Sequence, residues 1–239
     1  MKFGIISDIH SNIYALEAIL NEFNNLKIDK IICCGDIVGF NPFPEESTKL
    51  LMKYKDKLIA VRGNHEKYLM DGMPKYVHDC QRKVSENAIA HHKWNHSNLS
   101  KESVEFLSNF PLDTTLTVGN KKVYIVHYPY NEDGSFKTYV RNPSLEENTE
   151  LFSNIDADIF IYGHTHELVI NKSNNKMYIN PGSLGCPFGT DYTIAGILTI
   201  EDDCTQFNQL KIKYDVQKLV KKIKELKYPD YEKVLKIFF

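Results

Sequence analysis

Two aspartates, an asparagine and five histidines fall into four short strings and one isolated position. They are Asp8-Ile9-His10, Gly35-Asp36, Gly63-Asn64-His65-Glu66, Gly163-His164-Thr165-His166, and His127. Carboxylate and imidazole together suit Mn²⁺, Fe, Zn²⁺ or Ni²⁺. The set is too rich for one ion and about right for two. Two ions roughly 3.5–4 Å apart clamp a phosphate for in-line displacement and generate a hydroxide near neutral pH. Ions so close need a bridging carboxylate. Asp36, following Gly35 at a strand end, is the natural bridge.

Each piece alone has a plainer reading. Asp-x-His and Gly-Asp occur in many turns, and Gly63-Asn64 could simply make one. His164 and His166 could be surface residues, and His127 a hydrogen-bonded histidine ending a strand. The argument rests on the set and its order, because each string ends a predicted strand.

Those strands come from the hydrophobic pattern. Lys2–Ser7, Lys30–Cys34 and Leu58–Arg62 are short apolar runs. Ile13, Leu16, Ile19, Leu20 and Phe23 recur at helical spacing between the first two, with Ser11 or Asn12 as cap. A second helix is expected near Pro44–Tyr54. This βαβαβ rhythm implies a parallel sheet with crossover helices. From Glu66 to about Phe110 no strand-like run occurs, and residues 67–110 read as a helical cap insertion. One of its helices is expected at Lys101–Phe110, capped by Ser100. Strands resume at Thr115–Val118 and Lys122–His127, a hairpin around Gly119-Asn120. Asp158–Tyr162, Met177–Ile179, Ile194–Ile200 and Leu210–Tyr214 follow, with a helix at Ser144–Phe152. Val216, Leu219, Val220, Ile223 and Leu226 mark a last helix, which Pro229 stops. Ligands of open α/β sheets bind at the carboxyl ends of strands. Side by side, these strands would bring all five elements to one edge.

Composition narrows the setting. The chain has 239 residues, 25% of them charged, and a formal net charge of −2, which argues against nucleic-acid binding by bulk charge. Only Arg62, Arg82 and Arg141 are arginine, so bidentate clamps for phosphate are scarce and metal must supply the missing positive charge. Five cysteines, with no C-x-x-C, point to a reducing cytoplasm. No signal peptide and no membrane span are expected.

The five motifs, in this order, resemble the signature of the calcineurin-like metallophosphoesterases over most of the chain. Gly35-Asp36-Ile37-Val38-Gly39-Phe40-Asn41-Pro42, Arg62-Gly63-Asn64-His65 and Asn180-Pro181-Gly182-Ser183 are similar to the bacterial and archaeal phosphodiesterase-like branch. The resemblance implies one α/β domain over residues 1–239, a four-layer αββα sandwich of two mixed sheets flanked by helices. It implies two divalent ions, manganese foremost, with iron, zinc, nickel or magnesium as alternatives. Asp8, His10 and His166 would hold the first ion, Asn64, His127 and His164 the second, and Asp36 both. His65 would be the general acid in hydrolysis of a small phosphate ester by a hydroxide bridging the ions. Nucleic acid enters only as a substrate.

Departures from the family fall around the site. Tyr128-Pro129-Tyr130 follows His127 where relatives often carry small residues, so Tyr128 is a candidate to contact substrate or merely to pack. The loop Cys186–Asp191 lacks the arginine common in relatives. Arg62 is a second substrate candidate unless it points along the strand. Cys186 is expected to be a buried, idle thiol near the ions. His78, His91, His92 and His96 read as helix-surface residues, of which one could face the site, and Trp94 as the anchor of the cap. Three rival functions stand beside the phosphodiesterase: a phosphomonoesterase, a dinucleoside-polyphosphate hydrolase, and a non-catalytic scaffold of the same fold. The complete ligand set argues against the scaffold.

Overall fold

In the computed structural model the first strand, β1 (Lys2–Ile6), already displays the layering. Phe3 and Ile5 join a buried cluster on one face, and Ile6 packs into a different cluster on the other. A strand buried on both faces belongs to the inside of a layered sandwich. Residues 1–77, 79–201 and 204–239 are described, so the expectation for His78 lies outside them.

The chain continues through α1 (Ile13–Asn25), β2 (Lys30–Cys33), α2 (Pro44–Met52), β3 (Leu58–Ala60), α3 (Asn64–Asp71), β4 (Tyr76–Val77), β5 (Arg82–Lys83), α4 (Glu86–Ser97), α5 (Lys101–Ser108), β6 (Asp113–Val118) and β7 (Lys121–Val126). Next come α6 (Leu145–Leu151), β8 (Ile159–Ile161), β9 (Leu168–Lys172), β10 (Met177–Pro181), β11 (Tyr192–Glu201), β12 (Cys204–Lys213), α7 (Val216–Leu226) and α8 (Tyr231–Phe238). Two five-stranded sheets form, ordered β12-β11-β1-β2-β3 and β6-β7-β8-β10-β9. Both are mixed. The pairs β1–β2, β2–β3, β7–β8 and β8–β10 are parallel, and the hairpins at the edges are antiparallel.

The sheets face each other across Phe3, Ile5, Ile32 and Val61 on one side and Val123, Ile125, Ile159 and Ile179 on the other. Helices α1, α2 and α5 cover the outer face of the first sheet through Leu16, Ile19, Leu51 and Leu107. Phe152, following α6, packs on Tyr124, Phe160 and Tyr178 outside the second sheet. The four-layer sandwich is therefore present. In α1 the cap is Asn12, whose side chain accepts the Ala15 N–H. Ser144 caps α6 reciprocally with Glu147.

Four sequence expectations need correction. The segment after Glu66 contains the β4–β5 hairpin, too short to leave an alternating pattern. The expected 67–110 insertion is also not one unit, because Leu107 of α5 is buried in the main helical layer. Strand β9 was not anticipated, since its five residues show no apolar–polar alternation, and β12 starts well before Leu210, its outward residues Gln206 and Asn208 being polar. Pro229 ends α7, but Asp230, at φ 67°, turns the chain into an additional helix, α8. Among the described residues no helix is long and apolar enough to cross a membrane.

Candidate metal centre

The parallel strands aim their carboxyl ends at one edge of the sandwich. Asp8 and His10 follow β1, Asp36 follows β2, Asn64 and His65 open α3 after β3, His127 follows β7, and His164 and His166 follow β8. The turns that carry them are tight. Asp8, His10, Asp36, His164 and His166 all have left-handed backbones, with φ between 45° and 71°. Such conformations cost on the order of 1 kcal/mol or more each and persist where the surroundings over-determine them.

Loop-to-loop hydrogen bonds supply that determination. Asp8 N–H donates to Gly35 O at 3.1 Å and His10 N–H to Asp36 O at 2.9 Å. Asn41 donates to His10 O at 2.9 Å and to Gly185 O at 3.1 Å. Glu66 receives four backbone N–H groups: Ile37 and Val38 on Oε1, Asp36 and Gly63 on Oε2. Burial and the Asp36 charge push its carboxyl up toward about 7, yet four donors fill both oxygens and favour the ionised form. The Pro181-Gly182-Ser183 turn lies under β1, with Ser183 Oγ–H donating to Asp8 O at 2.9 Å.

Two donor sets result, and they share one atom. In the first, His10 Nε2 lies 3.0 Å from His166 Nε2 and 3.8 Å from both Asp8 Oδ1 and Asp36 Oδ2. In the second, His127 Nε2 lies 3.1 Å from Asn64 Oδ1, 3.2 Å from His164 Nδ1 and 3.5 Å from Asp36 Oδ2. Asp36 Oδ2 thus borders both sets, while its Oδ1 is occupied by the His65 N–H at 2.8 Å.

This arrangement fits divalent cations. Asp8 Oδ1 is fully buried and accepts no well-aligned hydrogen bond among the described residues, facing only His166 Nε2 at 3.2 Å, while Oδ2 takes the Ser7 hydroxyl at 2.5 Å and the His164 N–H at 3.1 Å. A buried carboxylate oxygen left open between imidazoles calls for positive charge. His127 Nδ1 is 2.6 Å from Cys34 O and donates to it, which leaves Nε2 as the nitrogen that can offer a lone pair to a cation once its proton is displaced. Burial alone would lower His127, but the charge and hydrogen bond of Asp36 outweigh it and raise the imidazole to about 9. His166 is likewise raised, by Asp8 against burial. His65 goes the other way, because burial outweighs Asp36 and brings it to about 4.

Placement of the remaining candidates differs from the sequence reading in several cases. His65 stands beside the first set, its ring 4.9 Å from that of His10, and faces the cavity. Arg62 does not line that cavity, and its Nε–H donates to Phe110 O at 2.7 Å, in keeping with the alternative that it points away from the ions. Tyr128 does not line it either. It is wholly buried, its hydroxyl accepts the Val140 N–H at 2.9 Å, and its ring backs His164 at 5.1 Å. His91 and His92 are not surface residues. α4 has no apolar stripe, so His91 is buried against Phe40 and Tyr228, and His92 Nε2 sits 2.8 Å from Tyr68 O. Trp94 stacks on Tyr228 at 4.8 Å. Cys186 is buried, with Sγ within 4.8 Å of a ring nitrogen of both His10 and His166.

Asp79 was not singled out, having no motif around it. Its Oδ2 lies 2.5 Å from His164 Nε2. Burial raises this carboxyl, but the His164 hydrogen bond and charge outweigh it and leave it below its ordinary value.

The metal centre opens into a cavity of about 330 Å³. Phe40, Tyr68, Phe188, Ile237 and Phe238 give it apolar walls, and Arg82, Arg141 and Lys233 bring positive charge.

Strand-end imidazoles and carboxylates gathered at one edge of a double-sheet sandwich define a metal-dependent hydrolase of phosphate esters. The chain belongs to the calcineurin-like phosphoesterase superfamily, whose domain model matches residues 1–203. It is 29% identical to the uncharacterised protein MJ0912 of Methanocaldococcus jannaschii, over 95% of this chain and 94% of that one. It is 24% identical to the phosphodiesterase MJ0936 of the same organism, over 84% of this chain and 94% of the relative. The fold is shared with the crystal structure of the hypothetical protein PH1004 from Pyrococcus horikoshii. That likeness has a TM-score of 0.84 at 18% identity and covers 100% of this chain and 97% of the other.

Proposed function

We propose that this protein is a dinuclear-metal phosphodiesterase acting on a small phosphate ester. The observation that carries the reading is Asp36 Oδ2, which borders a donor set on each side. Asp8, His10 and His166 hold one ion, Asn64, His127 and His164 the other, and Asp36 both. When bound, the ions neutralise the phosphoryl oxygens and make water a stronger acid. Asn64 contributes a neutral oxygen, which leaves more net positive charge for the substrate than a third carboxylate would.

His65 lines the cavity beside the first donor set, and we assign it as general acid. With its imidazole held at about 4 in the free chain, the substrate's own negative charge must retain the proton it gives up. The diester preference rests on the cavity. A monoester needs little beyond the ions, whereas a diester carries a second ester group, and the apolar walls beside the centre can receive it. The free thiols of Cys33, Cys34, Cys80, Cys186 and Cys204 support a reducing, cytoplasmic setting.

The test is hydrolysis of paired chromogenic phosphate monoesters and diesters by metal-stripped protein, with Mn²⁺, Mg²⁺, Ni²⁺, Zn²⁺ and Fe²⁺ restored singly. Metal-dependent turnover, faster on the diester and lowered roughly 10²–10⁴-fold by His65→Ala with a poor leaving group, is the expected result. Faster monoester turnover would replace the diesterase reading with a phosphomonoesterase. Full activity of His65→Ala on poor leaving groups would remove the general-acid role.

A further inference from the structure

The two imidazoles of the second donor set are oriented by different parts of the chain. His127 donates its Nδ1–H to the carbonyl of Cys34, just past the end of the interior strand β2. His164 turns Nδ1 toward Asn64 Oδ1 at 3.0 Å and His127 Nε2 at 3.2 Å, and its far nitrogen, Nε2, toward Asp79 Oδ2 at 2.5 Å. Both side chains are sequestered, His164 at 11% and Asp79 at 7% exposure. Asp79 lies between the short strands β4 and β5, far in sequence from the sheet that carries His164. Its carbonyl accepts the Tyr139 N–H at 3.3 Å, which ties this segment to the loop that follows His127.

A neutral imidazole that offers Nδ1 to a cation must carry its proton on Nε2. That proton needs a buried acceptor, and Asp79 is in place to be one. We propose that Asp79 is the positioning residue of the second metal site. It holds His164 in the Nε2–H tautomer, so that docking of the β4–β5 segment and loading of the second ion favour each other. The inference rests on the dinuclear reading above. Linkage makes the effect mutual: a docked segment strengthens the ion's binding, and the bound ion holds the segment down by the same factor.

Metal titration of the stripped full-length chain against a competing chelating dye tests this, with Mn²⁺ as probe. Wild type, Asp79→Ala, Asp79→Asn and Asn64→Ala are compared. Hydrogen exchange of peptides containing Asp79 is followed with and without Mn²⁺. The wild type is expected to take two ions per chain. Asp79→Ala should weaken one of them roughly 10–100-fold and leave the other unchanged. Asp79→Asn, whose amide oxygen still accepts a hydrogen bond, should recover part of that loss. Combining Asp79→Ala with Asn64→Ala should cost less than the sum of the two, because both act on the same ion. Mn²⁺ should slow exchange around position 79 in the wild type and not in Asp79→Ala. Two ions of wild-type affinity in Asp79→Ala would overturn the inference while leaving the dinuclear reading intact. So would an equal weakening of both ions without rescue by asparagine, the mark of a purely structural role. A wild-type chain that binds fewer than two ions would overturn the dinuclear reading and this inference with it.

Discussion

Asp36 divides its oxygens between two tasks. Oδ1 is fixed by the His65 N–H, which stops the carboxylate from turning, and Oδ2 is left between the two donor sets. In the metal-free chain the charge there is balanced by protons. His127 is raised to about 9, because Asp36 outweighs the cost of burial, and His166 is raised by Asp8 in the same way. His127 is imidazolium at pH 7, below its raised value, and any proton held by either imidazole on its ligating nitrogen must leave for it to ligate a cation. Metal binding at pH 7 should therefore release protons, seen in calorimetry as a heat that changes with the buffer's ionisation enthalpy. Affinity should rise by up to about tenfold per pH unit for each proton displaced, and the His127 contribution should level off above about pH 9. An affinity that is flat between about pH 6 and 8 would contradict this charge balance.

At the scale of elements, the turns after β2 and β3 are joined through Glu66 in the first turn of α3. Its carboxylate satisfies four buried N–H groups from both loops. Glu66→Ala leaves those donors unpaired and frees the Asp36 turn. We expect a loss on the order of 3–5 kcal/mol in urea unfolding, together with weaker metal binding. A loss under about 1 kcal/mol would show that water replaces the carboxylate without difficulty. Gly39 adds a second constraint on the same turn. At φ 141° its Cα hydrogen faces His10, and a Cβ there would lie 2.5 Å from His10 Nδ1 and 2.9 Å from His65 Nδ1.

These elements were legible in the sequence to the extent that burial gave them a pattern. β1, β2 and α1 show clear apolar runs or periodicity, and the residues Asp8, Asp36, Asn64, His127 and His164 stand at the ends of such runs. β9 shows no apolar–polar alternation, β12 presents a polar face to solvent, and the two-residue strands β4 and β5 are too short for any period. Asp79 and His91 reach the site from segments whose own residues carry no motif. Their roles depend on tertiary packing, to which local sequence is blind. Tyr128 illustrates the converse. An aromatic beside a ligand left substrate contact and packing both open, and just past the strand its ring turns into the outer core of the second sheet.

The whole molecule closes its cavity with parts drawn from both ends of the chain. Phe40, from the loop after β2, meets Phe238 of α8 at 5.0 Å, and Phe238 meets Phe188 at 5.3 Å. The wall built by α8 comes from residues 204–239, beyond the stretch that the superfamily domain model matches. Phe238→Ala should raise KM roughly tenfold for a diester with two aromatic arms and far less for a methyl diester, with kcat nearly unchanged. Equal effects on both substrates would mean that Phe238 supports the fold and not the substrate. The claim on which the rest depends is that one carboxylate serves two ions in this molecule. Counting metal per chain by elemental analysis, after reconstitution with Mn²⁺ and removal of the excess, tests it in wild type and Asp36→Asn. The account predicts two ions per wild-type chain and weakened retention of both in the variant. One ion per wild-type chain, or a variant that loses one and keeps the other at full affinity, would contradict it.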